Sequence, residues 1–167
     1  LESNRINSVT QDTLGRIWLA TGSGVSVYDA FSWENIRLPD SNNFSGYKSI
    51  VTDDIGTIWL APFNLRSKIY TLSNGKWSEI PSPDISGIKN ESVTGFSVFY
   101  RDNSPVIALS TLSDLYLMVD NKWTRYNNSN SKIPKSIYNL IHHSEDFYLC
   151  TDKGVTKVSF GNGSNPV

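Results

Sequence analysis

The chain has 167 residues, of which 38% are hydrophobic and 19% charged, enough length and apolar content to bury a real core. A formal charge of -1 offers no electrostatic attraction for nucleic acid or an anionic membrane surface, and the sequence predicts neither as a partner. Aromatic residues at 12%, with scarce Ala and abundant Ser, Asn, Thr, Ile and Val, favour strands joined by polar turns.

The first unit spans about 5–40. A strand, INSVTQD, leads through an acidic, glycine-bearing turn into IWLA at 17–20, then VSVY at 25–28 and a last strand at 33–38. The stretch DTLGRIWLAT at 12–21 returns as DDIGTIWLAP at 53–62, with Trp18 and Trp59 41 residues apart. Gly15 and Gly56 permit the positive φ that such tight hairpins use. A second unit, about 47–83, has strands at 69–72 and 77–80 around an Asn74-Gly75 hairpin turn and a longer loop, PFNLRSK, at 62–68. The third, about 92–126, places strands at 95–100, 106–110, 115–119 and 123–126. Ile107 is set opposite Trp18 in this register. The fourth, about 136–160, has strands at 137–142, 147–151 and 155–160, with Tyr148 in the tryptophan place and no outermost strand. Trp33, Trp77 and Trp123 mark the last strands of the other three. Polar linkers at 40–46, 82–91 and 127–135 carry no helical periodicity, and no helix is predicted. A period of 40 to 50 residues with four short strands per unit predicts an all-β fold, a β-propeller.

Chemistry is sparse. His142 and His143 are strand neighbours that face opposite ways, so they cannot share one metal, and no metal site or cofactor is predicted. Asp12 and Asp53 read as hairpin aspartates bonding nearby backbone N–H groups rather than as general acids. Cys150, the single cysteine, lies in the apolar run FYLCT and reads as a buried, inert thiol. Asn-x-Ser patterns at Asn43, Asn90, Asn127 and Asn162 read as accidental in so Asn-rich a chain. Tryptophans recurring at one point per unit read as packing elements between sheets rather than as sugar-stacking platforms. No convergent acid/base set is present, and the prediction is a non-enzyme with no catalytic residues.

Strand order sorts the connections into two ends. Those joining strands one to two and three to four are short and repetitive. Those joining two to three and unit to unit are longer and irregular, and variable loops on a rigid repeat are the usual binding surface. That end collects Phe44, Tyr47, Lys48, Phe63, Arg66, Lys89, Lys135 and Lys153, a mixture suited to an anionic or hydroxyl-rich ligand.

The stretch INSVTQDTLGRIWLATGSGVSVYD resembles the repeat of the two-component regulator propeller family, matching at Asp12, Gly15, Ile17, Trp18, Thr21, Gly24, Val25 and Tyr28. The resemblance implies four-stranded blades from a seven- or eight-bladed ring, in the periplasmic or cell-surface region of a bacterial sensor kinase or hybrid regulator. It implies ligand sensing, with an oligosaccharide or other small ligand as partner; the alternative it implies is a surface or secretion-associated scaffold. No secretory signal opens the sequence, no apolar run is long enough to span a bilayer, and the first residue is not Met. The sequence thus reads as a piece of a longer chain. Three sheets and most of a fourth leave apolar flanks expected to meet other blades of the parent chain or another copy.

Overall fold

The computed structural model describes residues 1, 3–38, 46–83 and 92–159. Among the described residues fifteen strands form antiparallel meanders, each built from sequence neighbours. The first sheet holds β1 (Ile6–Gln11), β2 (Ile17–Thr21), β3 (Val25–Tyr28) and β4 (Trp33–Ile36). The second holds β5 (Tyr47–Thr52), β6 (Ile58–Pro62), β7 (Ile69–Ser73) and β8 (Lys76–Ile80). The third holds β9 (Val93–Arg101), β10 (Ser104–Thr111), β11 (Asp114–Val119) and β12 (Lys122–Asn127). The last has three described strands, β13 (Ile137–His143), β14 (Asp146–Thr151) and β15 (Gly154–Val158). No helix occurs among the described residues. The sheets are propeller blades, and they fall into two units, Leu1–Ser82 and Pro83–Val167, of two sheets each.

In the first unit, strand alternation turns Trp18, Ala20, Val25 and Val27 of the first sheet onto Ile50, Ile58, Leu60 and Tyr70 of the second. The innermost strands β1 and β5 are also joined by polar contacts. The Ser8 hydroxyl donates to the Ile50 carbonyl at 3.2 Å, and the Thr10 and Thr52 hydroxyls hydrogen-bond to each other at 3.0 Å. The hairpins between strands one and two are locked by their aspartates. Asp12 Oδ1 accepts the N–H groups of Leu14 and Arg16, while Oδ2 accepts the Trp18 indole N–H at 2.8 Å. Asp53 repeats this with Ile55, Thr57 and the Trp59 indole at 2.6 Å. A buried indole N–H without a partner costs free energy, so one carboxylate closes the turn and satisfies the tryptophan together.

The second unit uses the same faces with different side chains. Phe99, Val106, Ala108, Leu115 and Leu117 pack on Ile137, Leu140, Phe147 and Leu149. The Phe99 and Phe147 rings lie 5.3 Å apart, and Ser97 Oγ meets His142 Nδ1 at 2.8 Å. His143 is exposed.

Several sequence expectations change. Ala108, not Ile107, stands in the place of Trp18: it pairs with Ser97 as Trp18 pairs with Thr10, counted from the same bulge. The β9–β10 hairpin has no aspartate lock. Its strands extend instead to a two-residue turn, Asp102-Asn103, with φ of 48° and 61°. That is the positive-φ pair a type I′ turn requires, and pairing to the turn lengthens both strands beyond the predicted 95–100 and 106–110. Cys150 is exposed, because β14 alternation buries Phe147 and Leu149 on one face and leaves Cys150 on the other with Tyr148. Trp18 is 2% and Trp59 3% exposed, but Trp33 on the outermost strand is 44% exposed and tilts against Tyr28. The packing role therefore holds for the inner tryptophans and not for that outer one.

Asp12 and a second buried acid, Asp114, set an acid limit on stability. For both, burial pushes the carboxyl upward, but hydrogen bonds outweigh it: from Trp18 and Arg16 to Asp12, and from Arg125, Ser113 and Asn127 to Asp114. Both carboxyls lie below their ordinary value. A depressed folded-state pKa adds stability that is complete above the unfolded value of about 3.9 and is lost as pH falls through the folded value. Thermal melts are expected to be level between pH 7 and 5 and to drop below about pH 4. Asp114→Asn should lower stability at pH 7 by about 1–3 kcal/mol and shrink the acid drop. An unchanged acid drop in that variant would remove Asp114 from the account.

Candidate functional site

The repetitive end of each sheet is occupied by structure. Asp12 and Asp53 have their carboxylate oxygens engaged by backbone and indole donors, which leaves them no role as free acids or bases. The Asn74-Gly75 turn has φ of 50° and 72°, as its dipeptide predicts.

The opposite end differs from sheet to sheet. Each innermost strand carries a β-bulge near its start. Register breaks fall between Ile6 and Ser8, Tyr47 and Ser49, Val93 and Gly95 opposite Ser110 and Thr111, and Ile137 and Asn139. The extra residues are Asn7, Lys48, Thr94 and Tyr138. A bulge re-aims a side chain away from strand alternation, and here one architectural device presents an amide, an ammonium, a hydroxyl and a phenol. Asn7 uses its position to donate from Nδ2 to the Tyr47 carbonyl at 2.9 Å. Tyr138 is exposed.

In the first unit the structure places three of the predicted residues, Phe63, Lys48 and Arg66, at this end. Phe63 lies in the β6–β7 loop, half-buried, with the Arg5 guanidinium 5.5 Å from its ring centre. Beside them the backbones of Gly22 and Gly46 meet: a Cβ at Gly46 would lie 2.7 Å from the Gly22 carbonyl oxygen and 3.0 Å from Phe63. Lys48, the bulged residue, is half-buried, and Arg66 is exposed beyond an Asn64 turn that accepts its N–H at 3.0 Å. Tyr47 is not a surface residue. It is 3% exposed and meets Tyr70 edge-on at 6.3 Å, so its ring belongs to the core. Arg5, which the sequence reading missed, precedes β1 without any motif to mark it. Phe44 and Lys89 lie outside the described residues.

In the second unit Lys135 and Lys153 are both exposed, in the β12–β13 and β14–β15 connections. The side chain that organises this end is Asp114, also missed. It occupies the place of Gly24 and Gly154 in the repeated Thr-x-x-Gly loop and is 1% exposed. Its carboxylate accepts from Arg125 Nε, Asn127 Nδ2 at 2.9 Å and the Ser113 hydroxyl. Asn127 then holds the linker: its carbonyl accepts Ser131 N–H at 2.9 Å and its N–H donates to Asn130 Oδ1 at 2.8 Å. Among the described residues no cluster of three or more His, Cys, Asp or Glu has metal-binding geometry. No helix among them is long and apolar enough to cross a membrane.

Residues 1–23 match the family model described as Two component regulator propeller. No curated protein matches the chain. Among solved structures, the chain is similar to the extracellular domain of the putative hybrid two component system BT4673 from B. thetaiotaomicron. Identity is 20% and the TM-score 0.70, over 98% of this chain and 21% of that one. The extracellular domain of the putative hybrid two component system BT3049 from the same organism gives 17% and 0.69, over 100% and 25%. Virginiamycin B lyase from Staphylococcus aureus gives 14% and 0.62, over 96% and 57%. At these identities the likeness establishes the β-propeller fold, and the fold is shared by extracellular domains of putative two component systems and by an enzyme. The chain spans about a fifth to a quarter of the length of the first two.

Proposed function

We propose that this two-component regulator propeller is a non-enzymatic, ligand-sensing part of a bacterial envelope sensor, placed in the periplasm or at the cell surface, with an oligosaccharide as ligand. The observation that carries the reading is the division of the molecule. Repeated residues are consumed by turns and packing, while bulges and irregular loops present different polar and aromatic groups from one sheet to the next. The extracellular sensor domains among its structural neighbours support the same role. A ligand resting on the bulge of β5 would act on Lys48, whose neighbour Tyr47 receives the Asn7 amide from the adjoining sheet. Binding would thereby shift sheet-to-sheet packing, the element able to pass a signal onward.

The reading includes further blades. The outer face of the last sheet holds a cavity of about 160 Å³ between Ile141, Tyr148, Cys150 and Val155, with Ile141 61% and Val155 75% exposed. Tyr148 stands where Trp18 stands, and a further sheet of this repeat type would cover it as the second sheet covers Trp18.

Thermal-shift screening against oligosaccharides tests the sensing role. A cognate glycan at a hundred times its Kd adds about 2.7 kcal/mol and raises the melting temperature. No stabilisation by any glycan, together with tight binding of a protein partner, would replace the sensor by a scaffold.

A further inference from the structure

The charges of the first unit are unevenly spread along the strands. The repetitive end carries the described acids Asp12, Asp29, Asp53 and Asp54, in or beside the short hairpins, against two cations, Arg16 and Lys76. At the irregular end the described ionisable residues are Arg5, Arg37, Lys48, Arg66 and Lys68, and Lys68 is engaged by Glu79 of β8 at 2.8 Å. The remaining acid, Glu34, lies within the outermost strand β4. That imbalance favours an anion at the irregular end.

One of these cations is held in place. The Arg5 guanidinium carbon lies over the Phe63 ring, 5.5 Å from its centre, and Gly22, which has no side chain, lies against the Arg5 stem: a Cβ there would be 3.4 Å from Cδ. The Arg5 backbone is anchored as well, its carbonyl accepting the Gly22 N–H at 3.0 Å and its N–H donating to Ser3 Oγ at 3.1 Å. A guanidinium over an aromatic ring keeps its N–H groups for other partners, and its planar fork matches a carboxylate in two parallel hydrogen bonds. Exposed lysines alone would attract any anion weakly; a guanidinium beside an aromatic ring on an anchored backbone favours a planar one.

We infer that the irregular end of the first unit recognises a carboxylate-bearing ligand, with Arg5 on Phe63 as the carboxylate contact and Lys48 and Arg66 as flanking charges. This rests on the sensing reading above and narrows its ligand to an acidic, uronate-type oligosaccharide.

Calorimetric titration of the whole chain with trigalacturonate, its methyl ester, a neutral cello-oligosaccharide, a sulfated disaccharide and a hexaglutamate peptide tests it. Trigalacturonate is expected to bind at least tenfold more tightly than its ester or the sulfated sugar, and to weaken as salt rises. Arg5→Gln should lose at least tenfold, Arg5→Lys most of that, and Lys76→Gln, at the opposite end, less than twofold. Arg5 is exposed, so unchanged melting temperatures confirm that these variants fold. If the neutral sugar binds and Arg5→Gln leaves its affinity intact, sensing stands and the carboxylate inference falls. Arg5-dependent binding of hexaglutamate alone keeps the carboxylate site and overturns the sugar. Binding of none of the five overturns the inference.

Discussion

Replacing Trp18 by alanine is expected to lower the free energy of unfolding by about 3–5 kcal/mol, the usual cost of truncating a fully buried large aromatic side chain. The loss has two physical parts. The indole fills the space between the two sheets of the first unit, against a face made of Ile50, Ile58, Leu60 and Tyr70. Its N–H also occupies Asp12 Oδ2, so truncation removes a donor from a carboxylate that is 8% exposed. Trp18→Phe separates them: it retains most of the packing and deletes the hydrogen bond, and is expected to cost about 1–2 kcal/mol. Trp33→Ala, on the exposed outer strand, should cost less than about 1 kcal/mol. Urea denaturation followed by circular dichroism measures all three. An unchanged midpoint for Trp18→Ala, with lost ligand binding, would return the inner tryptophans to the role of sugar platforms.

The second large effect concerns Gly95, where the innermost strands β9 and β13 approach closely. A Cβ built there would lie 2.6 Å from the Leu140 backbone nitrogen, 2.9 Å from Ser110 Oγ and 3.1 Å from the Asn139 carbonyl carbon. Backbone atoms cannot rotate away, so the strands must separate, and that disturbs the Ser97–His142 contact and the Phe99–Phe147 stack. Gly95→Ala is expected to destabilise by about 3 kcal/mol, at the upper end of the usual range for overpacking. Gly75→Ala is the comparison. Its φ of 72° is unfavourable for alanine, a cost Gly95 does not carry, yet nothing lies within 4 Å, and the expected cost is about 1 kcal/mol. Equal losses at the two sites would mean that close approach of the strands does not govern Gly95.

The sheets were legible in the sequence because their signals are local. An aspartate, a glycine and an alternating apolar run specify each aspartate hairpin within ten residues, and Asp12 and Asp53 bond backbone N–H groups as that pattern implies. What failed needed a partner strand. The bulges at Asn7, Lys48, Thr94 and Tyr138 exist only relative to the strands opposite, and a single strand does not show them. Ile107 was misplaced by apolar bulk, whereas the ladder counts back from Thr111 to Ala108. Cys150 and Tyr47 failed in opposite senses, one read as buried from its apolar neighbours and the other as surface from its nearby loop. Asp114 and Arg125 are 11 residues apart and meet because β11 pairs with β12 so that Asp114 faces Asn127. Of the proposed site, the irregular end and the residues Lys48, Phe63 and Arg66 can be named from the sequence, and their binding role is the proposal. Arg5 was not legible, since its partner Phe63 lies 58 positions away in the β6–β7 loop.

The central claim is that repeating residues hold the fold and non-repeating ones meet the ligand. Amide hydrogen exchange, read peptide by peptide with and without trigalacturonate, tests it most directly. Protection is predicted for peptides covering 3–8, 21–25, 46–50 and 62–68, with no change in the hairpins at 12–16 and 53–57. Protection centred on those two hairpins, or none anywhere at saturating ligand, would contradict the account.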